Sequence, residues 1–169
     1  EFKNYCKHGF AYNTYVVGND KLFPNSKDEI NRKEIRIVAK LNVTSTNEAT
    51  KIMNNSGISQ FSEIEIDGVI QPNVVDSYIF DTTGKHIVKY TLVDPTSIGD
   101  YTFQNCSSFT NITIPDSVTT IGKGAFYTCT NITNITIPNN VTNIDLYAFY
   151  YCTGLKNVAL GNSVTSISD

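Results

Sequence analysis

The second half of the chain repeats itself. From Ile98 onward a pattern recurs every 23 residues without slippage: Ile98, Ile121, Ile144 and Ile167 stand in register, as do Phe103, Phe126 and Phe149, then Cys106, Cys129 and Cys152, then Val118, Val141 and Val164. Within each unit the spacing Phe109-x-x-Ile112-x-Ile114, Ile132-x-x-Ile135-x-Ile137 or Leu155-x-x-Val158-x-Leu160 marks a short strand. A unit this small cannot bury an apolar side alone, so successive units must stack and share one interior. The expectation is a solenoid of three coils over residues 95–169. Its inward-pointing ladder is Phe103, Phe126 and Phe149 with Cys106, Cys129 and Cys152.

The unit Ile-Pro-x-x-Val-Thr-x-Ile-Gly-x-x-Ala-Phe-x-x-Cys-Thr, read from Ile114 to Thr130, resembles the BspA-like leucine-rich repeats of bacterial surface and secreted proteins, which also occur in some parasitic protists. Thr102 departs from the Ala of the Ala-Phe pair, Gly161 from Pro and Asp145 from Gly. The resemblance implies a non-enzymatic extracellular module, at the cell surface or secreted, that serves adhesion to matrix, host or neighbouring cells.

Ahead of the repeats, residues 33–94 read as a small β-sandwich. Ile35, Ile37, Ala39, Leu41 and Val43 alternate with polar residues at a period of two, which lays one face on a core. Thr50 to Met53 suggests a second strand. Phe61, Ile64 and Ile66 lead into Asp67-Gly68, a hairpin signal, and Val69 to Val75 returns from it with Pro72 at an edge. The run Tyr78-Ile-Phe80 to His86-Ile-Val88-Lys-Tyr90-Thr-Leu92 resembles the final hairpin of PKD-type immunoglobulin-like domains, with His86 where Tyr is usual. The fold class is therefore mainly β, a sandwich followed by the solenoid. With almost no linker between Leu92 and Ile98, the strand near Tyr90 to Val93 is expected to lie beside the first coil and cap it.

Residues 1–32 form an aromatic-rich segment with Phe2, Tyr5, Phe10, Tyr12, Tyr15 and Phe23, suited to extending a neighbouring sheet or docking on a partner. Ser26 to Lys33 carries a capping pattern for one helical turn. Cys6 has no repeat equivalent and is free or intermolecular. The chain opens at Glu1, as a processed or trimmed product does, and stops two residues into a fourth repeat. Either the natural protein is longer, or a second copy or neighbouring subunit covers that last coil.

A formal charge of −3 and scattered bases speak against nucleic acid, and Lys27, Arg32, Lys33, Arg36 and Lys40 read as a solvated strand edge. No apolar run reaches membrane-spanning length. The cysteines lack the Cys-x-x-Cys spacing of a zinc site, and Asp76, Asp81, Asp94, Asp100 and Asp116 lack the close alternation of a calcium loop, so no metal or cofactor is expected. With only His8 and His86 in the chain, and no nucleophile or phosphate-loop motif, no catalytic residue is assigned. His86 shares strand parity with Val88 and Tyr90 and reads as a half-buried, hydrogen-bonded side chain. Asn-x-Ser/Thr triplets at Asn42, Asn54, Asn105, Asn111, Asn131, Asn134 and Asn140 follow from the Asn- and Thr-rich repeat.

The candidate binding face is the polar side of the stacked strands: Thr110, Asn111 and Thr113, then Thr133, Asn134 and Thr136, then Lys156 and Asn157. Columns of this kind suit a protein or glycan ligand, and equally a solvated sheet. Two further readings remain open, a structural or receptor-binding part of an assembly such as a phage fibre or virion decoration, and a surface glycan binder.

Overall fold

In the computed structural model, residues 35–168 are described. Before them the backbone gives two short antiparallel pairs, β1 (Cys6–Lys7) with β2 (Phe10–Ala11) and β3 (Val16–Val17) with β4 (Asp20–Lys21). The helical turn expected over Ser26 to Lys33 and the thiol of Cys6 lie outside the described residues. The chain separates into two units, Glu1–Asn31 and Arg32–Asp169, and everything below concerns the second.

That unit is mainly β. Strand β5 (Arg36–Val43) is followed by β6 (Thr50–Lys51), a 3-10 helix (Asn55–Gln60), β7 (Phe61–Ile66), β8 (Val69–Ile70), β9 (Ser77–Tyr78) and β10 (Gly84–Leu92). The coils then contribute β11 (Ser97–Ile98), β12 (Phe109–Thr113), β13 (Thr120–Ile121), β14 (Asn134–Thr136), β15 (Asn143–Ile144), β16 (Asn157–Ala159) and β17 (Ser166–Ile167). Strands β16, β14, β12, β5, β10, β7 and β8 lie in that order in one sheet, and β11, β13, β15 and β17 form a narrow parallel sheet along the coils.

Each coil lays its strand parallel to the next at the 23-residue register, with Ile112 beside Ile135 and Ile135 beside Val158. The period therefore dictates the pairing. At the front, β5 runs antiparallel to β12, with Ala39 opposite Ile112, and antiparallel to β10 on its other side. The strand beside the first coil is thus β5, not the Tyr90 to Val93 segment expected there. An eight-residue strand with strict alternation offers two long edges, and the coil takes the one that β10 leaves free.

This placement also corrects the reading of Arg36 as part of a solvated edge. It sits on a central strand and reaches across β10 to Glu63 at 2.6 Å and Glu65 at 3.0 Å, while Lys89 meets Glu65 at 2.6 Å. Burial pushes the Glu65 carboxyl up, but Lys89 and Arg36 beside it outweigh that and hold it below its ordinary value.

The Asp67-Gly68 turn forms as read, with both residues at positive φ, and joins β7 to β8. The returning strand stops at Ile70, just short of Pro72. The hairpin expected between Tyr78 and Leu92 does not form, because β9 pairs with β6 in a separate sheet while β10 lies between β5 and β7. His86 is buried against the Phe80 ring, its Nδ1 2.6 Å from the Asp67 carboxylate and its Nε2 2.9 Å from the Thr82 carbonyl oxygen. It ties the β7–β8 turn to the start of β10.

One apolar core runs from Ile37, Ile52 and Ile64 through Phe103 and Phe126 to Ala148. Phe103 lies 5.9 Å from Phe61, 5.1 Å from Tyr90 and 5.4 Å from Phe126, ring centre to ring centre, so it joins the front sheet to the coils. Phe126 stacks in turn on Phe149 at 5.2 Å. Polar contacts close the same joint: Gln60 Oε1 accepts the Gly99 N–H at 2.7 Å, and the Thr102 carbonyl accepts the Asn54 N–H at 2.7 Å. Thr102, the departure from Ala in the first repeat, packs on Gly57 and donates its hydroxyl to the Gly99 carbonyl at 2.8 Å.

In the third coil the equivalent positions are more open. Val158 is 51% exposed where Ile112 is 2%, since among the described residues β16 is the outermost strand on that side of the sheet.

Candidate binding face of the solenoid

The polar positions of β12, β14 and β16 fall into columns because parallel strands at matched register set like residues side by side, about 4.8 Å apart. Asn111, Asn134 and Asn157 are direct neighbours, as are Thr113, Thr136 and Ala159. The amide of Asn157 donates to the Asn134 side-chain oxygen at 2.7 Å, and the Asn134 amide donates to the Thr133 hydroxyl at 2.9 Å. Asn134 and Asn157 are thus held in one orientation rather than free to rotate.

The third column behaves differently. Thr110 donates its hydroxyl to the Lys40 carbonyl at 3.0 Å, and Thr133 to the Thr110 carbonyl at 3.3 Å. Those hydroxyls stitch each coil to the strand before it, so Thr110 and Thr133 stabilise the face more than they present it. Lys156 has no hydroxyl to continue the series, and its backbone N–H bonds to the Thr133 carbonyl at 2.9 Å.

Between the first two coils the surface dips into a shallow hollow of about 260 Å³, bordered by Asn111, Thr113, Asn134, Thr136, Asp116 and Pro138. Four of these six belong to the face read from the sequence. Asp116 and Pro138 are additions, brought in by the turn that follows each strand. Asp116 is the only ionisable side chain on the rim, so the hollow is nearly neutral with one acidic edge.

The ladder side chains lie behind this face. Phe103, Phe126, Cys106 and Cys129 are fully buried, Cys152 is buried and Phe149 is half-buried. Among the described residues no group of three or more His, Cys, Asp or Glu is placed to hold a metal ion, and no helix is long and apolar enough to cross a membrane.

Parallel strands repeated at 23 residues, a narrow second sheet and a continuous interior define a leucine-rich-repeat solenoid. The match to a family model is specific: BspA type leucine-rich repeat regions align, in six copies, with residues 73–169. The chain belongs to that family, which places it among repeat modules of the protein-binding and adhesion type. The match begins ahead of the first 23-residue unit and takes in β9 and, from the front sheet, β10. No curated protein and no solved structure matches the chain.

Proposed function

We propose that the chain is a non-enzymatic extracellular adhesion module whose broad strand face takes a protein partner, with the hollow between the first two coils as its centre. The observation that carries this reading is the fixed pair Asn134 and Asn157. Asn134 is held by Thr133 and Asn157, so its polar atoms are set in place before a partner arrives. Preorganised polar groups on a rigid sheet lose little conformational entropy on binding. The nearly neutral hollow, with the Asp116 carboxylate on its rim, favours a partner that brings hydrogen-bonding side chains and one base.

The test is binding of the intact chain to a panel of immobilised extracellular-matrix proteins, followed by layer interferometry. Saturable binding to at least one of them is expected. Asn134→Arg with Thr136→Arg, which fills the hollow from exposed positions, should abolish it without changing the melting temperature. Failure to bind any protein of the panel, or undiminished binding by the double variant, would overturn the reading.

A further inference from the structure

We propose that the ligand face continues past the coils onto the front sheet, where Lys40, Lys85 and Ile87 receive an acidic protein segment that carries an aliphatic side chain between its carboxylates. This deepens the strand-face reading by naming the partner's chemistry, and rests on it in taking the partner to be a protein. Because one sheet holds coils and front strands alike, its outward residues run on across the joint. Register sets Asn157, Asn134 and Asn111 in line with Lys40 of β5 and Ile87 of β10. Alternating burial along β5 and β10 turns Lys40, Asn42, Lys85 and Ile87 away from the core. Ile87 is 42% exposed although strands flank β10 on both sides, so its exposure is not that of a sheet edge or an uncovered coil.

The charges on this part of the sheet are unevenly matched. Arg36 is taken by Glu63 and Glu65, and Lys89 by Glu65. Asp67 turns one oxygen to the His86 ring and accepts the Ile87 N–H with the other at 2.9 Å. Among the described residues Lys40 and Lys85 make no ion pair, so no acid of the sheet competes for them. Lys40 stands opposite Ile87 and Lys85 opposite Asn42, which makes the two lysines diagonal neighbours. Their side chains leave the sheet about 7–8 Å apart, with Ile87 beside both. In a chain of net charge −3, two free cations thus border one exposed aliphatic group, next to the asparagine row.

That combination selects the ligand. Nucleic acids and sulfated polysaccharides are held by many bases at once, and two lysines are too few for either. Neither brings an aliphatic group to cover Ile87. A polypeptide with Asp or Glu on both sides of Leu, Ile or Val does, and places its carboxylates over the ammonium groups. Exposed ion pairs are weak singly, so the acids serve mainly to steer and orient the partner, while the Ile87 contact and the polar row hold it.

The intact chain, labelled with nitrogen-15, is titrated with an Asp-Leu-Glu peptide flanked by serines, and amide shifts are followed. Saturable shifts at Lys40, Asn42, Lys85 and Ile87 are expected. The Asn-Leu-Gln and Asp-Ser-Glu counterparts should bind roughly fivefold more weakly, as should the Lys40→Glu, Lys85→Glu and Ile87→Thr variants, whose spectra report directly that they are folded. The matrix protein bound by the parent should likewise be bound more weakly by the two lysine variants. No saturable shift, or equal affinity for the neutral peptide, would refute the inference. Tighter binding of heparin at the same amides would refute it by making this a polyanion site, and shifts on raising chain concentration alone by making it a contact between copies. Undiminished matrix-protein binding in both lysine variants sinks this inference and leaves the strand-face reading standing, whereas Asn134→Arg with Thr136→Arg tests that reading by itself.

Discussion

Of the three thiols in a row inside the coils, two are satisfied by the coil before them: Cys129 donates to the Phe103 carbonyl at 3.0 Å and Cys152 to the Phe126 carbonyl at 3.1 Å. Burial raises the Cys106 and Cys129 thiols well above their ordinary value and pushes Cys152 up to about 11, while it raises the Tyr90 phenol as well. In every case the folded state favours the protonated form more than the unfolded chain does. The stability this contributes is complete below the ordinary thiol value near 9 and is lost as pH rises from there through the folded values. The melting temperature should therefore fall between about pH 9 and 11, and the fall should be shallower in Cys129→Ala, measured by calorimetry against the parent. A parallel slope in the two proteins would contradict the buried-thiol account.

Among the elements, the joint between front sheet and first coil concentrates the packing, and Phe103 is its centre. Phe103→Ala should cost about 3–5 kcal/mol, since a fully buried ring touching Phe61, Tyr90, Phe109 and Phe126 leaves a cavity bounded by rigid strands. Tyr90→Phe should cost about 1–2 kcal/mol by stranding the Ile52 carbonyl, which now accepts the Tyr90 hydroxyl at 2.6 Å in the core. Urea titration of both variants checks the order, with Phe103→Ala the larger loss. Much of this level was legible in the chain itself. Repetition at 23 residues fixes pairing because each coil meets its own copy, and the alternation over Ile35 to Val43 and at Phe61 to Ile66 fixes which side chains turn inward. What was hidden is partner choice between unlike strands: nothing local tells β12 to take β5 rather than β10, or sends Ser77–Tyr78 to β6. Nor could hydroxyl use be read from spacing, since Thr110 and Thr133 look like the exposed Thr113 and Thr136 until their carbonyl partners are seen.

For residues 35–168 as a whole, one sheet of seven strands spans the antiparallel front and the parallel coils, so neither part has an interior of its own. Unfolding should follow a single transition, with fluorescence and far-ultraviolet circular dichroism coinciding. The Leu92 to Ile98 connection should resist thermolysin until that transition, because Val93 and Gly99 are bonded to Gln60 on both sides of it. Separate transitions, or early cleavage there, would show two independent modules.

The antiparallel strand β5 also gives the molecule a direction. It seals one flank of the first coil with a strand that shares no register with the repeats, whereas every later coil presents the same edge as the one before. Duplicating a 23-residue unit in frame would therefore lengthen the rod by about 4.8 Å and leave the sealed end untouched. Reach becomes a matter of copy number, adjustable by gene slippage without redesign of the base.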